Sequence, residues 1–208
     1  MNAEEIATWV RHAAELVSAD ADRLTRLDAA IGDGDHGHNL DRGFRAAVEA
    51  LPDDPTTPAK VLIAAGRAIV SKTGGASGPL YGTALRRAGK VLGAAEEVDA
   101  AALGTALQAA LEGVQDLGKA VEGDKTMVDA LAPAVAAYDA ALAEGSGLAA
   151  CVRAAADAAA KGADGTVPMR ARKGRASYLG ARSEGHLDPG ASSTALLLRA
   201  LADVAGEE

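Results

Sequence analysis

The chain has 208 residues, a formal net charge of −8 and a hydrophobic content of 49%, which together predict one domain spanning residues 1–208. The acidic balance, without a long run of Lys or Arg, argues against a nucleic-acid partner. The N-terminus is unlike a signal peptide, and no apolar run reaches the ~18 residues of a membrane span, so we expect a cytoplasmic protein without a membrane partner. The single Cys151 is predicted to be a buried structural thiol.

Helical signals dominate the chain from one end to the other. Aromatic residues make up only 2% of the sequence, and Ala, Leu, Glu, Arg and Lys recur at helical spacing between stretches rich in Gly and Pro. The sequence therefore predicts an all-α fold without strands. The predicted helices cover approximately residues 4–20, 22–31, 39–51, 57–71, 79–94, 99–117, 124–143, 146–161 and 190–204.

Two glycine patterns resemble nucleotide signatures without matching them. The stretch IGDGDHGHNL, residues 31–40, contains G-x-G-x-x-G but follows a predicted helix, whereas the dinucleotide fingerprint follows a strand. The stretch GVQDLGKA, residues 113–120, has Ala120 where a P-loop requires Ser or Thr. Neither pattern predicts a nucleotide site by itself.

The first loop instead carries a set of carboxylates. Asp33 and Asp35 are expected to project to one side of an extended segment, and Asp28 can reach back from the end of the preceding helix. Carboxylates without cysteine favour Mg²⁺, Mn²⁺ or Ca²⁺ over zinc, and an EF-hand is excluded because His38 falls where its loop needs Gly. The alternative interpretation is a turn with a helix cap. With a metal bound, this acidic loop would become a phosphate site.

Two further loops predict anion binding. SKTGGASGPLYG, residues 71–82, leads into a helix with Pro79 in its first turn, which leaves backbone N–H groups free at the positive end of that helix. HLDPGASS, residues 186–193, repeats the arrangement with Asp188 as N-cap and Pro189 as first helical residue. The long stretch before it concentrates Arg and Lys in an acidic protein, and a connection of this length is expected to be functional.

Four stretches together resemble one family. They are LDAAIGDGDHGHNLDRG, KTGGASGPLYGTAL, GDKTMVDALAPA and KGRASYLGARSEGHLDPGASS, and they are similar to the nucleotide-binding subunit of the bacterial phosphotransferase-system-dependent dihydroxyacetone kinase. The resemblance spans the chain and implies a closed barrel of eight antiparallel helices, with ADP or ATP lying across one end on two Mg²⁺ ions. The implied metal ligands are Asp28, Asp33 and Asp35. The implied nucleotide contacts are His36, Gly37, His38, Asn39, Ser77, Gly78, Gly118, Met127, Arg175, Asp188, Pro189 and Gly190.

The resemblance also implies an activity. In this family ADP stays bound, receives a phosphoryl group from a phosphohistidine donor protein, and passes it to dihydroxyacetone held by a partner subunit. Arg175 is the implied catalytic residue, which stabilises the transferred group together with Mg²⁺. His36 and His38 are expected to contact the nucleotide or support the metal loop and not to carry the phosphoryl group covalently.

Other functions are compatible with the same motifs. An ATP-dependent dihydroxyacetone kinase would exchange its nucleotide, and a kinase for another ketose such as erythrulose would keep every motif. A metal-dependent hydrolase would need further ligands, for which only His12 and His186 remain. A non-catalytic helical binding module is the remaining alternative.

Overall fold

The computed structural model describes residues 1–53 and 55–206. Within these ranges the chain forms eight α-helices and no strand, which confirms the predicted all-α fold. One 3₁₀ segment, Arg175–Ser183, interrupts the connection between the last two helices. The helices are α1 Ala3–Ile31, α2 His36–Glu49, α3 Pro58–Lys72, α4 Ser77–Leu92, α5 Ala100–Gly118, α6 Val128–Ala143, α7 Leu148–Gly165 and α8 Pro189–Ala205.

The observed helix boundaries differ from the predicted ones in several places. The first two predicted helices form one continuous α1, because neither Gly nor Pro separates them. Helix α2 begins three residues earlier than predicted, because the Asp28 carboxylate accepts the N–H of His36 at 3.2 Å. Helix α6 begins four residues later than predicted, at Val128. The Asp129 carboxylate there accepts the N–H of Thr126 at 2.7 Å, which holds the preceding residues in a turn.

The helices pack in a closed ring. Each helix contacts the next one along the chain, and α8 returns to contact α1. Consecutive helices that pack side by side across short connections run antiparallel. Successive helices are therefore neighbours around the ring.

Small residues allow the helices of the ring to approach closely. Alanine contributes nearly half of the buried apolar positions, and Gly82 and Gly89 lie where α4 meets the backbone of α3. Tyr138 and Phe44 are the largest fully buried side chains of the core. Cys151 is also fully buried, and burial raises the pKa of its thiol, as expected for a structural cysteine. Among the described residues, no helix combines the length and apolar character that a membrane span requires.

Two glycines of α7 test the importance of this close packing. A methyl group at Gly162 would collide with the backbone oxygen of Asp129 and with Pro133 in α6, whereas a methyl group at Gly165 would meet open space. We expect Gly162→Ala to lower the free energy of unfolding by about 1–3 kcal/mol because α6 and α7 must move apart. Gly165→Ala should be neutral or stabilising by up to about 1 kcal/mol. Urea unfolding followed by circular dichroism measures both, and equal stability of the two variants would contradict this packing.

Candidate functional site

One end of the helix ring holds a cavity of about 300 Å³. In an antiparallel ring every second connection lies at the same end, so four connections that are distant in sequence meet here. They are the loops before α2, α4 and α6 and the long segment before α8. Eleven of the predicted site residues line this cavity, namely Asp28, Asp33, Asp35, His36, Ser77, Gly118, Met127, Arg175, Asp188, Pro189 and Gly190.

Gly37 and His38 do not line the cavity. A side chain at Gly37 would collide with the backbone oxygen of Ala21, so this glycine lets α2 cross close to α1. The exposed His38 side chain lies beside Asp22, with 3.7 Å between Nε2 and Oδ1. In the structure both residues belong to the contact between α1 and α2.

Asn39 and Gly78 also lie outside the cavity wall. The buried Asn39 accepts a hydrogen bond from Arg42 at 2.6 Å and packs against Gly74 in the loop before α4. Gly78 packs against the backbone of Thr73 at the start of that loop. Both residues therefore shape the loop that carries Ser77.

The acidic loop is held by its own first carboxylate. Oδ2 of Asp28 accepts the backbone N–H groups of Asp35 at 2.9 Å and of His36 at 3.2 Å. The loop turns at Gly34, whose φ of 74° lies in the left-handed region that favours glycine. Any side chain at Gly32 would collide with the Asp28 carboxylate. The loop is therefore folded around Asp28 by the chain itself.

Three carboxylates converge at this loop. Asp28, Asp33 and Asp35 each offer an oxygen atom, and these atoms lie within 4.8 Å of one another. Asp28 is 9% exposed, whereas Asp33 and Asp35 face solvent. Hard oxygen donors at this spacing, open to water on one side, fit Mg²⁺ or Ca²⁺ and not zinc.

The basic segment before α8 reaches over the acidic loop. Arg175 begins the 3₁₀ segment, and its Nε lies 2.9 Å from Oδ2 of Asp33. The Arg175 side chain is 70% exposed, so the ion pair contributes little to stability. Its guanidinium can therefore leave Asp33 at low cost when another cation binds there.

His36 is enclosed behind the carboxylates. Its Nε2 lies 2.9 Å from Oγ of Ser193 in α8. Burial lowers the pKa of His36, and the charges of Asp28 and Asp35 only partly oppose this effect. Burial therefore favours the neutral imidazole, which argues against a role as a fixed cation.

The N-termini of α4 and α8 face the cavity with different chemistry. No side chain caps α4, so the N–H groups of its first turn are free to meet an anion. At α8 the Asp188 carboxylate accepts the N–H of Ala191 at 2.7 Å, as the sequence predicted. Burial raises the pKa of Asp188 to about 7, against the opposing effects of that hydrogen bond and of Lys125.

Lys125 is a site residue that sequence reasoning missed. Its side chain lines the cavity although the residue is only 1% exposed. Nζ donates to the carbonyl oxygens of His186 at 2.5 Å, Thr166 at 2.6 Å and Val167 at 3.5 Å. The ammonium group therefore donates all three of its hydrogens to backbone carbonyl groups. Through these hydrogen bonds, Lys125 joins the loop before α6 to both ends of the segment before α8. The only sequence signal was its place in GDKTMVDALAPA, which assigns it no role.

Comparison with known proteins identifies the family. The sequence profile of the DAK2 domain matches residues 30–203. The chain belongs to the DAK2 domain family. The ADP-binding subunit DhaL of PEP-dependent dihydroxyacetone kinase from Escherichia coli is 38% identical over 98% of this chain and 97% of its own length. The subunit of the same name from kinase 1 of Listeria innocua is 42% identical over 93% of this chain and 92% of its own.

Longer proteins contain a related DAK2 domain. The D-erythrulose kinase of Mycolicibacterium smegmatis is 38% identical over 91% of this chain but only 33% of its own length. The crystal structure of the dihydroxyacetone kinase from C. freundii in complex with AMP-PNP and Mg²⁺ matches with a TM-score of 0.70 at 30% identity, over 95% of this chain and 33% of that one. The confirmed all-α fold is thus shared with a domain of a larger kinase.

Replacement of Lys125 tests its place in this DAK2 domain. Lys125→Met should lower the free energy of unfolding by about 3 kcal/mol, because three backbone carbonyl groups lose a charged donor. Lys119→Met is the matched control, since Lys119 also has a positive φ but is exposed. Thermal and urea unfolding of both variants measure the difference. Equal stability of Lys125→Met and wild type would show that the buried ammonium is not needed to hold these loops.

Proposed function

We propose that this DAK2 domain is the nucleotide-carrying subunit of a dihydroxyacetone kinase. It binds ADP or ATP with two Mg²⁺ ions and relays a phosphoryl group from a phosphohistidine donor protein to dihydroxyacetone, which a partner subunit holds in the cytoplasm. The observation that carries the proposal is the cavity in which three converging carboxylates lie beside the uncapped N-terminus of α4. The full-length similarity to subunits named ADP-binding supports it.

Metal ions would lie between the carboxylates of the protein and the phosphates of the nucleotide in this cavity. Asp28, Asp33 and Asp35 are the residues that would hold Mg²⁺, because their oxygen atoms converge and because no sulfur ligand is near. Bound Mg²⁺ neutralises charge on the phosphates and fixes their position. Without divalent cations, the same carboxylates would repel a nucleoside diphosphate.

The opposite wall supplies hydrogen-bond donors. The backbone N–H of Ser77, which lines the cavity, and that of Gly78, the next residue behind the wall, lie in the first turn of α4, where they have no partner inside the helix. They would bind phosphate oxygens with the favourable end of the helix dipole. Gly118 and the buried Met127 form a less polar part of the wall, where the base would lie.

Arg175 would act on the group being transferred. Its contact with Asp33 holds the guanidinium over the carboxylates, and the exposed side chain would be free to turn toward the phosphates once Asp33 serves as a metal ligand. There it would stabilise negative charge during transfer, as a donor held close to the reacting group. Asp188, Pro189 and Gly190 would close the cavity at the start of α8.

An ATP-dependent ketose kinase is the second candidate function. The similarity to the D-erythrulose kinase favours it, because that longer protein shares a related domain. In that case ADP would leave after every turnover. The two candidates differ in nucleotide exchange and in the acceptor ketose.

Loss of one carboxylate tests the metal site. Asp33→Asn should weaken binding of ADP in the presence of Mg²⁺ by more than about 100-fold, since even residues that only support metal ligands account for 10–100-fold. Asp22→Asn is the matched control, because Asp22 is exposed on α1 and lies outside the cavity. Isothermal titration calorimetry with and without Mg²⁺ measures the affinity. Wild-type affinity in Asp33→Asn would refute the metal bridge.

Retention of labelled ADP tests the relay. The domain is loaded with labelled ADP, combined with a dihydroxyacetone-binding subunit and a phosphohistidine donor, and supplied with excess unlabelled nucleotide during turnover. We expect the label to stay bound through many product molecules, and no useful activity with free ATP when the donor is omitted. Release of label at the rate of product formation would instead establish the ATP-dependent kinase. Parallel assays with erythrulose identify the acceptor.

A further inference from the structure

The segment before α8, residues 166–188, forms one wall of the cavity. Its middle part, from Lys173 to Ala176, lines the cavity directly. The other walls are the ends of α-helices and the shorter loops that join them. A long irregular segment over a cavity is the part of the wall that can open for a ligand. The contacts that hold this segment in place therefore bear on how long a nucleotide stays bound.

The middle part of the segment has weak contacts with the rest of the molecule. Ala171 and Ala176 form a small apolar cluster with Ile31 at the end of α1. Two methyl groups bury little apolar surface, so this cluster contributes little free energy. The ion pair of Arg175 with Asp33 is exposed and adds little more. The position of the middle part over the cavity therefore depends on how the two ends of the segment are held.

The two ends of the segment are joined by hydrogen bonds. The N–H of Gly185 donates to the carbonyl oxygen of Val167 at 2.8 Å. The N–H of Asp188 donates to Oγ1 of Thr166 at 2.9 Å, and this contact is buried. The segment thus leaves the end of α7 and returns to the start of α8 through one closed neck.

Lys125 enters this neck from the loop before α6. Its Nζ donates to the carbonyl oxygen of Thr166 at one end of the segment, at 2.6 Å, and to that of His186 at the other end, at 2.5 Å. An ammonium group only donates hydrogen bonds and a carbonyl oxygen only accepts them, so the direction of both bonds is fixed. One buried charge therefore holds both ends of the segment against the helix ring.

The loop before α6 holds Lys125 in a costly backbone conformation. Its φ of 62° lies in the left-handed region, which residues with a side chain rarely adopt and which persists where the surrounding contacts require it. The Asp129 carboxylate accepts the N–H of Thr126 at 2.7 Å and so fixes the loop next to Lys125. The carbonyl oxygen of Asp124 accepts the N–H of Arg172 at 3.0 Å, which adds a second link to the segment. The loop is thus a fixed support from which Lys125 reaches the neck.

We propose that Lys125 is a positioning residue that holds the segment before α8 closed over a bound nucleotide and thereby slows the release of ADP. The proposal rests on the proposed function for its ligand. Release requires the open segment, so the release rate follows the fraction of molecules in which the segment is open. Loss of the ammonium group raises that fraction, because the hydrogen bonds of Lys125 stabilise the closed arrangement. Association also requires the open segment, so Lys125 does not assist binding.

The release rate measures this effect. Protein loaded with a fluorescent ADP analogue and Mg²⁺ is mixed with excess unlabelled ADP in a stopped-flow instrument. Lys125→Met should release the analogue about 10- to 100-fold faster than wild type, the fold-change that corresponds to hydrogen bonds from a charged donor. Its association rate should be unchanged or higher. Lys119→Met is the matched control and should release at the wild-type rate, because Lys119 precedes the same loop, is exposed and does not line the cavity.

The two rate constants separate a positioning role from damage to the site. Release from Lys125→Met at the rate of Lys119→Met would overturn the proposal. A loss of affinity that comes wholly from slower association would also overturn it, because that is the effect of a distorted binding site. Circular dichroism at the assay temperature verifies that both variants are folded.

Hydrogen exchange of the nucleotide-free wild-type protein tests the neck without any variant. Relative to their intrinsic rates, the amide hydrogens of Gly185 and Asp188 should exchange more slowly than that of Ser177 in the middle part, since the ends are held more firmly. Equal exchange at the neck and in the middle part would overturn the proposal even if Lys125→Met failed to fold. If wild type binds no ADP, the proposed function fails as well. If wild type binds ADP but the exchange or release results are contrary, this inference fails alone.

Discussion

Repulsion among three carboxylates is the constraint that organises this end of the molecule. Asp28, Asp33 and Asp35 bring their oxygen atoms within 4.8 Å of one another, and Arg175 offsets only part of that charge. The chain sustains the arrangement by giving one carboxylate two backbone N–H donors and by leaving the other two in contact with water. The hydrogen bonds that start α2 are thus the same ones that hold the acidic loop. Charge that the protein offsets only in part is the feature on which the proposed binding of Mg²⁺ depends.

The helix ring supplies rigid walls for a site made of loops. Small residues bring neighbouring helices into close contact. The loops are tied to one another by two buried polar connections. Lys125 joins the loop before α6 to the segment before α8, and the hydroxyl of Ser193 joins α8 to the start of α2. Each connection fixes elements that are far apart in sequence.

Features governed by nearby residues could be predicted from the sequence. The helical content, the N-cap at Asp188 and the convergence of Asp28 with Asp33 and Asp35 all follow from local spacing and turn chemistry. The predictions failed where contacts between distant segments decide the outcome. From the sequence, Lys125 cannot be distinguished from an ordinary charged residue. Its role follows from the hydrogen bonds that its ammonium group donates to the carbonyl groups of Thr166 and His186 in the fold.

Gly37 is a second residue whose role could not be predicted from the sequence. It stands within a glycine pattern typical of phosphate binding, but its role in the structure is to let α2 approach the backbone of α1. A sequence pattern records that a small residue is needed there, and only the fold shows which neighbour requires it.

The direction of α1 and α8 has a consequence for attachment to other proteins. α1 reaches the cavity with its C-terminal end and α8 with its N-terminal end, so both helices lead the chain away from the site. At 1.5 Å per residue, the start of α1 lies roughly 40 Å from the cavity and the end of α8 roughly 25 Å. A domain fused at the start of α1 or at the end of α8 would leave the entrance of the cavity clear. To reach the reacting phosphate, such a domain would need a flexible tether or would have to act on a second copy of this domain.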